Sequence, residues 1–279
     1  MMAAGEKKIA LVTGATDGVG RYVAARLAES GFHVLAHGRD AGRGESLMRE
    51  ISQAGGSGQF YPADFSSLQA VRQLAESVLL TQDRLDLLIN NAGIGTADTA
   101  GREARRLSAD GIELRFAVNY LAGFLLTELL LPRLIESRPA RIVNVSSLGQ
   151  QAIDFDDVML ERGYSGGRAY CQSKLAQILF TIDLAGELKD AGVTVNCLHP
   201  ATYMDTTMVR RSGVTPRSSV REGGEAILHL ALAPELEGRS GLFFNGKREA
   251  RADTQAYDAA ARARLRRLSF ELVGLEQPA

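Results

Sequence analysis

Short apolar runs alternate with amphipathic stretches along almost the whole of this 279-residue chain. The apolar runs predict buried strands at residues 9–12, 33–36, 59–61, 85–89, 141–145, 193–197 and 241–244. Helical spacing is predicted between them, at about residues 19–27, 42–53, 67–80, 105–131, 168–189 and 219–232. Strands that alternate with helices in this way run parallel and are joined by right-handed crossovers. The sequence therefore predicts an α/β fold: a doubly wound, seven-stranded parallel sheet with helices on both faces.

A single domain is predicted for residues 1–279, because no repeat, low-complexity block or Pro/Gly-rich linker interrupts the pattern. We expect a core at residues 7–245 and a helical C-terminal extension at residues 246–279. In such a sheet a ligand binds at the carboxyl ends of the strands, near the point where the strand order switches.

The charge and cysteine content exclude several classes of protein. The formal net charge is -1, so no overall field attracts nucleic acid or an anionic membrane. The arginines at Arg262, Arg264, Arg266 and Arg267 follow a helical pattern, which indicates a solvated helix face. The two cysteines, Cys171 and Cys197, predict free thiols in a reducing compartment, with no disulfide framework and no metal site.

No targeting or membrane segment is predicted. Residues 1–8 lack the apolar stretch of a secretory signal. The most apolar stretch, residues 121–134, is interrupted by Thr127, Glu128, Pro132 and Arg133, which makes it too short and too polar to span a bilayer. We therefore expect a cytoplasmic protein without a membrane span.

A glycine-rich turn follows the first strand and opens the first helix. Its glycines, Gly14, Gly18 and Gly20, have the spacing G-x-x-x-G-x-G instead of the usual G-x-G-x-x-G. Glycines let the backbone approach a pyrophosphate, and the helix N-terminus supplies N–H groups and a partial positive charge. A turn that binds no ligand is the alternative. The turn predicts a dinucleotide site formed by Gly14, Thr16, Asp17, Gly18, Val19 and Gly20.

The end of the second strand distinguishes between two dinucleotides. An NAD site has a carboxylate there, which holds the ribose 2′-hydroxyl. This chain has His37 in that place and Arg39 two residues later, and a guanidinium can bind a 2′-phosphate through two hydrogen bonds. Asp17 and Asp40 argue for NAD(H), unless each of them caps a helix. NADP(H) is the predicted cofactor, and NAD(H) is the alternative.

Tyr170 and Lys174 lie four residues apart at a predicted helix start, so their side chains share one helix face. A tyrosine has a pKa of about 10 in water, which is too high for easy proton exchange at neutral pH. A neighbouring ammonium favours the phenolate and lowers that pKa. The phenol can then donate a proton to a carbonyl oxygen as a hydride arrives, or accept one in the reverse direction. The pair is common by chance, so its meaning depends on its neighbours.

Polar residues that suit this chemistry end the neighbouring strands. Ser146 and Ser147 follow the fifth strand, where a hydroxyl can bind the substrate oxygen, and residues 90–93 follow the fourth. Asn119 lies within a predicted helix, where asparagine has a poor propensity, which indicates another use for its amide.

These motifs, in this order and spacing, resemble the short-chain dehydrogenase/reductase family. The resemblance runs from about residue 7 to residue 244 and covers the glycine turn, Asp64, residues 90–93, Asn119, Ser147, Tyr170 and Lys174. Residues 163–180 and the long gap between Ser147 and Tyr170 are similar to the retinol-dehydrogenase-like branch. The resemblance implies a Rossmann fold that binds a nicotinamide dinucleotide.

The resemblance also implies roles for the catalytic residues. Tyr170 would be the acid and base, and Lys174 would lower its pKa and hold the nicotinamide ribose. Ser147 would orient the carbonyl in preference to Ser146, and Asn119 would bind a water that links Lys174 to solvent.

Further cofactor contacts are implied along the strand ends. Asp64 and Phe65 would lie at adenine, with a helix cap as the alternative for Asp64, and Asn91, Ala92 and Gly93 would lie at the adjacent ribose. After the sixth strand the family has Pro-Gly and then a threonine at the carboxamide, whereas this chain has His199-Pro200-Ala201. Pro200 and Thr206 are therefore the candidate carboxamide contacts, and His199 is expected to be structural.

These features predict an NADP(H)-dependent oxidoreductase that interconverts a carbonyl and an alcohol by hydride transfer. Apolar side chains in residues 149–168 and 201–218 favour a lipophilic or aromatic small molecule, unless half of them pack on the core. The apolar helix at residues 174–184 is buried either within one chain or in the homodimer or homotetramer that the family implies. The alternatives are a non-catalytic NADP(H)-binding sensor or scaffold and an epimerase or dehydratase.

Overall fold

A computed structural model describes residues 7–96 and 104–278. The start of the chain, residues 1–6, for which the sequence predicts no targeting segment, lies outside the described residues. So do residues 97–103 and residue 279.

One mixed sheet forms the centre of the fold. Its strands are β1 Ile9–Val12, β2 His33–Gly38, β3 Ser57–Pro62, β4 Leu87–Asn90, β5 Ala140–Val145, β6 Val193–His199, β7 Phe243–Asn245 and β8 Arg248–Ala250. They lie in the order β3-β2-β1-β4-β5-β6-β7-β8. Strands β1 to β7 are parallel, which confirms the predicted seven-stranded sheet, and β8 adds an antiparallel strand at the edge. The predicted core boundary at residue 245 stays a prediction, although the sheet continues beyond it.

Helices cover both faces of the sheet. They are α1 Gly18–Glu29, α2 Ala41–Gln53, α3 Leu68–Thr81, α4 Ala122–Glu136, α5 Gly166–Glu187, α6 Thr207–Arg211, α7 Val220–Leu232 and α8 Ala259–Val273. A π-helical segment, Phe116–Leu121, leads into α4, and 3-10 turns occupy Pro234–Leu236 and Thr254–Tyr257. Helices α1, α2 and α7 share one apolar cluster, and α3, α4, α5 and α8 share the other. The single-domain α/β architecture is therefore the predicted one.

The helix predicted at residues 105–131 begins later than expected. Leu107 and Glu113 form an antiparallel bridge, and Gly111 turns the chain between them with a positive φ of 78°. The Glu113 carboxylate then accepts a hydrogen bond from the Phe116 N–H at 2.8 Å. A local turn and its side-chain cap therefore override the helical pattern of residues 105–112.

Helix α5 is buried within one chain, as one of the two predicted alternatives requires. The Phe180 ring packs against the Phe124 ring of α4, and Phe124 packs against Phe270 of α8. Arg266 of α8 pairs with Asp183 of α5 at 3.4 Å and is 11% exposed, so the predicted solvated arginine face is wrong for this residue. The homodimer or homotetramer stays a prediction.

Candidate active site

The glycine turn packs against the segment that follows β4, at the switch in strand order. Gly14 has a φ of +65°, and a Cβ there would lie 2.9 Å from the Ala92 Cα. A Cβ on Gly20 would collide with the Gly14 carbonyl oxygen. Only glycine permits this left-handed turn and this close approach of two backbone segments. The turn therefore brings the start of α1 to the end of β4.

Two polar side chains fix that approach. The Thr13 hydroxyl accepts hydrogen bonds from the N–H groups of Asn91 and Ala92, at 2.9 and 3.0 Å. The Asn91 amide nitrogen donates to the carbonyl oxygens of Thr13 and Gly14, at 2.9 and 3.2 Å. Asn91 thus holds the glycine turn, and its predicted ribose contact stays a prediction. Thr13 opens the glycine motif in the sequence, but the motif alone predicts no role for its hydroxyl.

The two carboxylates that argued for NAD(H) are helix caps. Asp17 accepts from the Gly18 N–H at 2.7 Å and caps α1, and Asp40 accepts from the Arg43 N–H at 3.0 Å and caps α2. The Arg43 guanidinium also bonds Asp17 at 3.0 Å. Arg43 was missed by the sequence analysis, although it lies four residues after Arg39. Both carboxylates are therefore engaged by protein donors.

His37 links the glycine turn to the end of β3. Its Nδ1 accepts from the Gly14 N–H at 3.3 Å, its Nε2 lies 3.1 Å from the Ala63 carbonyl oxygen, and its ring stacks on Phe65 with centroids 4.1 Å apart. Burial lowers the pKa of His37 to about 4. The imidazole is neutral at pH 7 and holds the turn by an uncharged hydrogen bond.

The remaining predicted residues of the glycine turn and the adenine end differ in burial. The Phe65 side chain is buried, whereas Asp64 is exposed and accepts from the Ser66 N–H at 2.9 Å. Ser67 caps α3, so the helix-cap alternative for Asp64 is wrong. The Thr16 side chain lies against the end of β2, as shown by the collision that a Cβ added at Gly38 would make with it. Val19 is buried in α1, and Arg39 is exposed after β2.

Tyr170 and Ser147 meet at the carboxyl edge of the sheet. Ser165 caps α5 by accepting from the Arg168 N–H at 3.1 Å, which starts the helix and directs Tyr170 inward. The Ser147 side chain lies close enough to the Tyr170 hydroxyl to lower the pKa of the phenol. A Cβ on Gly149 would lie 3.5 Å from both the Ser147 Oγ and the Tyr170 ring, so the chain passes close to the pair.

Ser146 has a different use from Ser147. Its hydroxyl donates to the Lys174 carbonyl oxygen at 2.7 Å and is buried. This bond ties β5 to α5, which leaves Ser147 as the serine at the phenol.

Lys174 is buried on the same face of α5. Its Nζ donates to the Val145 carbonyl oxygen at 2.9 Å and to the Gln177 Oε1 at 3.0 Å, and it lies 5.8 Å from the centre of the Tyr170 ring. A Cβ on Gly93 would lie 3.6 Å from Nζ. Burial lowers the pKa of Lys174 to about 7, because a desolvated ammonium is costly.

The pKa of Tyr170 differs from the sequence-based expectation. Burial raises it, and the neighbouring Ser147 side chain lowers it by less. The described residues alone therefore do not produce the lowered pKa that we expected from Lys174. The physical reason is that desolvation of the buried phenol disfavours the phenolate by more than its polar neighbours favour it.

Asn119 occupies the π-helical segment, where a locally wider turn accommodates a residue of poor helix propensity. Its Oδ1 accepts from the Ile94 N–H at 2.7 Å, and its Nδ2 donates to the Ile94 carbonyl and to the Ser173 hydroxyl, at 3.2 and 3.0 Å. Asn119 therefore joins the segment after β4 to α5. Its implied water contact stays a prediction.

A buried arginine clamp supports the same segment and was missed by the sequence analysis. The Arg115 guanidinium donates to the Gly95 carbonyl at 2.9 Å and to the Tyr164 hydroxyl at 2.5 Å, and it also bonds the Thr96 carbonyl. Glu113 lies 3.6 Å from Arg115 and accepts from Tyr164 at 3.1 Å. The clamp connects the segment after β4 to the residues just before α5.

The candidate carboxamide residues lie at the end of β6. Pro200 is buried, and the His199 Nε2 lies 3.1 Å from the Thr202 hydroxyl oxygen, as expected of a structural histidine. The Thr206 hydroxyl caps α6 by accepting from the Val209 N–H at 3.3 Å. A Cβ on Gly18 would lie 3.0 Å from the Thr206 methyl, so this threonine faces the glycine turn.

The two predicted covering segments differ in burial. Ile153, Val158 and Leu160 are buried in the core, which confirms the alternative for the first segment. Tyr203 and Met208 of the second segment are exposed, at 46% and 44%. The apolar surface beside the site therefore comes from the loop after β6 and from α6.

Comparison with known proteins identifies the family to which this site belongs. A family model described as short chain dehydrogenase matches residues 8–216. Mouse retinol dehydrogenase 11 is 38% identical over 285 residues, which cover 96% of this chain and 87% of that protein. Human retinol dehydrogenase 13 is 37% identical over 298 residues, which cover 97% and 86%. The chain belongs to the short-chain dehydrogenase family. Within it, the chain is an NAD(P)-dependent oxidoreductase of the retinol-dehydrogenase-like branch.

Solved structures share the fold. A short chain dehydrogenase from Shigella flexneri complexed with NADP has a TM-score of 0.67 and 26% identity, and the match covers 86% of this chain and 97% of that one. A variant of actinorhodin polyketide ketoreductase with NADPH has a TM-score of 0.70 and 26% identity, covering 88% and 97%. The comparisons confirm the Rossmann fold and the binding of a nicotinamide dinucleotide.

The predicted cytoplasmic location is corrected by these findings. The relatives are named for retinol, a lipophilic alcohol that partitions into membranes, which counts against a cytoplasmic protein. The most apolar 18-residue window of the helix Phe116–Glu136 has a mean hydropathy of 1.4, and the helix is long and apolar enough to cross a membrane by length and composition. This helix is longer than the stretch at residues 121–134, which the sequence predicts to be too short and too polar to span a bilayer. Because 56% of its most apolar window is buried inside the fold, it also fits a core helix.

Proposed function

We propose that this protein is an NADP(H)-dependent oxidoreductase that interconverts a carbonyl and an alcohol on a lipophilic or aromatic small molecule. One observation carries the proposal: Tyr170, Ser147 and Lys174 converge beside the glycine turn, at the carboxyl edge of the sheet. A proton donor for an oxygen and a cation for a ribose thus lie together at a dinucleotide site.

The residues at this edge fit a nicotinamide dinucleotide. The glycine turn and the N-terminus of α1 would hold the pyrophosphate, since N–H groups and the helix dipole favour negative charge there. Gly93 has no side chain beside the Lys174 Nζ, so the ribose would lie against both. When bound, the nicotinamide supplies or accepts the hydride.

The chain's own residues would handle the proton. The Ser147 hydroxyl donates a hydrogen bond to the substrate oxygen and fixes it next to the phenol. In reduction, the Tyr170 O–H bond breaks and its proton goes to that oxygen, so the oxygen becomes a hydroxyl. In oxidation, the phenolate accepts the hydroxyl proton. Burial raises the pKa of Tyr170, so the phenol is protonated at neutral pH, which is the form that reduction requires.

Two arginines at the adenine end support NADP(H) over NAD(H). Arg39 follows β2 and is exposed, and Arg43 lies in the first turn of α2. The carboxylates of Asp17 and Asp40 accept from backbone N–H groups, and Asp17 also accepts from the Arg43 guanidinium, so protein donors compete for the acidic acceptors that a ribose 2′-hydroxyl would need. The NADP and NADPH named with the solved relatives agree with this assignment.

The loop after β6 supports an apolar substrate. Tyr203 contributes to raising the pKa of Tyr170, so its side chain lies within electrostatic reach of that phenol. Tyr203, Met208 and Leu148 are large apolar side chains that are nearly half exposed at this end of the sheet. Burial of their surface by a ligand would contribute roughly 25 cal/mol per Å².

The first experiment is a screen of ketones, aldehydes and alcohols with NADPH and NADP⁺, in which the loss or gain of NADPH absorbance measures turnover. We expect turnover on an apolar carbonyl, with Tyr170→Phe at least about 100-fold slower because the proton donor is gone. Tyr257→Phe is the matched control, since that phenol lies at the surface and bonds the Ala252 N–H. NADPH binding without turnover on the whole panel would favour a sensor, and equal rates in Tyr170→Phe would refute the proposal.

The cofactor preference has its own test. Arg39→Ala should raise the KM for NADPH by roughly 10- to 100-fold and leave that for NADH nearly unchanged, as expected for the loss of a charge-assisted bond to a phosphate. Arg49→Ala, an exposed arginine of α2 paired with Glu45 at 3.9 Å, is the control and should change neither value. An unchanged ratio of the two KM values in Arg39→Ala would contradict the assignment.

A further inference from the structure

The ammonium group of Lys174 has three N–H donors and two acceptors among the described residues. One acceptor is the Val145 carbonyl oxygen at 2.9 Å, and the other is the Gln177 Oε1 at 3.0 Å. Both acceptors are uncharged, and the lysine is 5% exposed. One N–H therefore remains for a ligand at the Gly93 edge.

Gln177 is fixed in place one helical turn after Lys174. The residue is 5% exposed, and its backbone carbonyl oxygen accepts from the Thr181 hydroxyl at 2.8 Å. Thr181 in turn accepts from the Asn144 amide at 2.9 Å, which anchors this part of α5 to β5. Because Gln177 is buried on this anchored part of α5, its amide oxygen contacts Nζ at little further entropic cost.

We propose that Gln177 is the positioning residue of Lys174: its amide oxygen stabilises the ammonium form and directs the remaining N–H to the cofactor. The proposal rests on the function proposed above, because it assigns Lys174 to the nicotinamide ribose. Val145 contributes a backbone oxygen that no substitution removes, so Gln177 is the side chain through which the sequence sets the charge state of the lysine.

The groups that face Nζ define the direction in which a substitution at Gln177 changes the pKa of Lys174. They are the Val145 carbonyl, the Gln177 amide, the Tyr170 ring and the backbone at Gly93. Burial lowers the pKa of Lys174 to about 7, so a small change in its acceptors moves its charge state across neutral pH. Removing the amide acceptor lowers the pKa further, and a carboxylate in its place raises it.

The test measures NADPH binding by fluorescence titration from about pH 6 to about pH 9.5, which needs no turnover. We expect affinity to fall as the pH rises through the pKa of Lys174. Gln177→Met should move that fall by about one pH unit to lower pH, and Gln177→Glu by about one unit to higher pH. A merely structural role would weaken binding in both variants without opposite shifts.

Gln172→Met is the matched control. Gln172 is also buried on α5, but its amide donates to the Ala152 carbonyl at 3.0 Å and not to Lys174. Its profile should coincide with that of the wild type. If Gln177→Met and Gln177→Glu also coincide with the wild type while Lys174→Met removes the pH dependence, the proposal is overturned and the proposed function stands.

Lys174→Met also tests the assignment of Lys174 to the nicotinamide ribose, on which the role of Gln177 depends. If that variant binds NADPH with the wild-type affinity and the wild-type pH profile, the assignment of Lys174 to the ribose fails, and the role of Gln177 fails with it. Thermal unfolding of each variant identifies any that has lost the fold. If Gln177→Met unfolds, Gln177→Glu alone tests the proposal: a fall in NADPH affinity that moves to higher pH supports it, and an unchanged profile overturns it.

Discussion

Arg115→Met removes the cation of the buried clamp beside the active site. Arg115 and Glu113 are 3% and 1% exposed, and their charged groups lie 3.6 Å apart. The arginine also donates to the Gly95 and Thr96 carbonyls and to Tyr164. Methionine fills a similar volume but leaves the glutamate without its counter-ion and the two carbonyls without this donor.

The magnitude follows from burial. Removing one partner of a buried ion pair destabilises a protein by about 3–5 kcal/mol, because the remaining charge is desolvated without compensation. An exposed pair contributes about 0–1 kcal/mol. Arg49→Met is therefore the control, since Arg49 and Glu45 are 67% and 70% exposed. We expect a loss of about 3–5 kcal/mol for Arg115→Met and of less than about 1 kcal/mol for Arg49→Met.

Urea unfolding at pH 7 measures both free energies. Glu113→Gln added to Arg115→Met should recover part of the loss, since it removes the uncompensated charge and keeps an oxygen that can accept from the Phe116 N–H. A second readout is kcat/KM, which should fall in Arg115→Met because the segment after β4 loses an anchor. A destabilisation equal to that of Arg49→Met would refute the reasoning.

Three further predictions follow from the same geometry. Gly20→Ala should weaken NADPH binding and lower stability by more than about 1 kcal/mol, because its methyl collides with the Gly14 carbonyl, whereas Gly186→Ala, with open space around it, should not lower stability. Between pH 6.5 and about 4, urea unfolding should show a loss of stability of about 3 kcal/mol from His37: its folded pKa is depressed, so its contribution is complete above 6.5 and lost as the pH falls. The raised pKa of Tyr170 predicts that initial rates of reduction hold above neutral pH while rates of oxidation rise with pH, and parallel profiles would contradict it.

The catalytic group was predictable because it depends on local spacing and on topology. Tyr170 and Lys174 share a helix face by their four-residue separation, and Ser147 meets them because parallel strands end at one edge of the sheet. The glycine turn was predictable for the same reason, since it directly follows a buried strand. Each of these inferences needs only the element type and the chain direction.

The supporting residues were not predictable in the same way. Arg115 is a buried cation whose partner Tyr164 is 49 residues away, and composition favours a solvated arginine. Asp17 and Asp40 were recognised as either caps or acidic contacts, and only the position of Arg43 decides between them. Gln177 carried a signal, because it lies three residues after Lys174 on the same helix, but glutamine is too common for spacing to single it out.

Deuterium transfer tests the central claim most directly. A single turnover of enzyme with NADPH deuterated at the transferring position, on the carbonyl found in the screen, should give an alcohol that carries deuterium on its carbinol carbon. Tyr170→Phe should bind the same cofactor with wild-type affinity and form that alcohol at least about 100-fold more slowly. Deuterated alcohol formed at the wild-type rate by Tyr170→Phe would contradict the account.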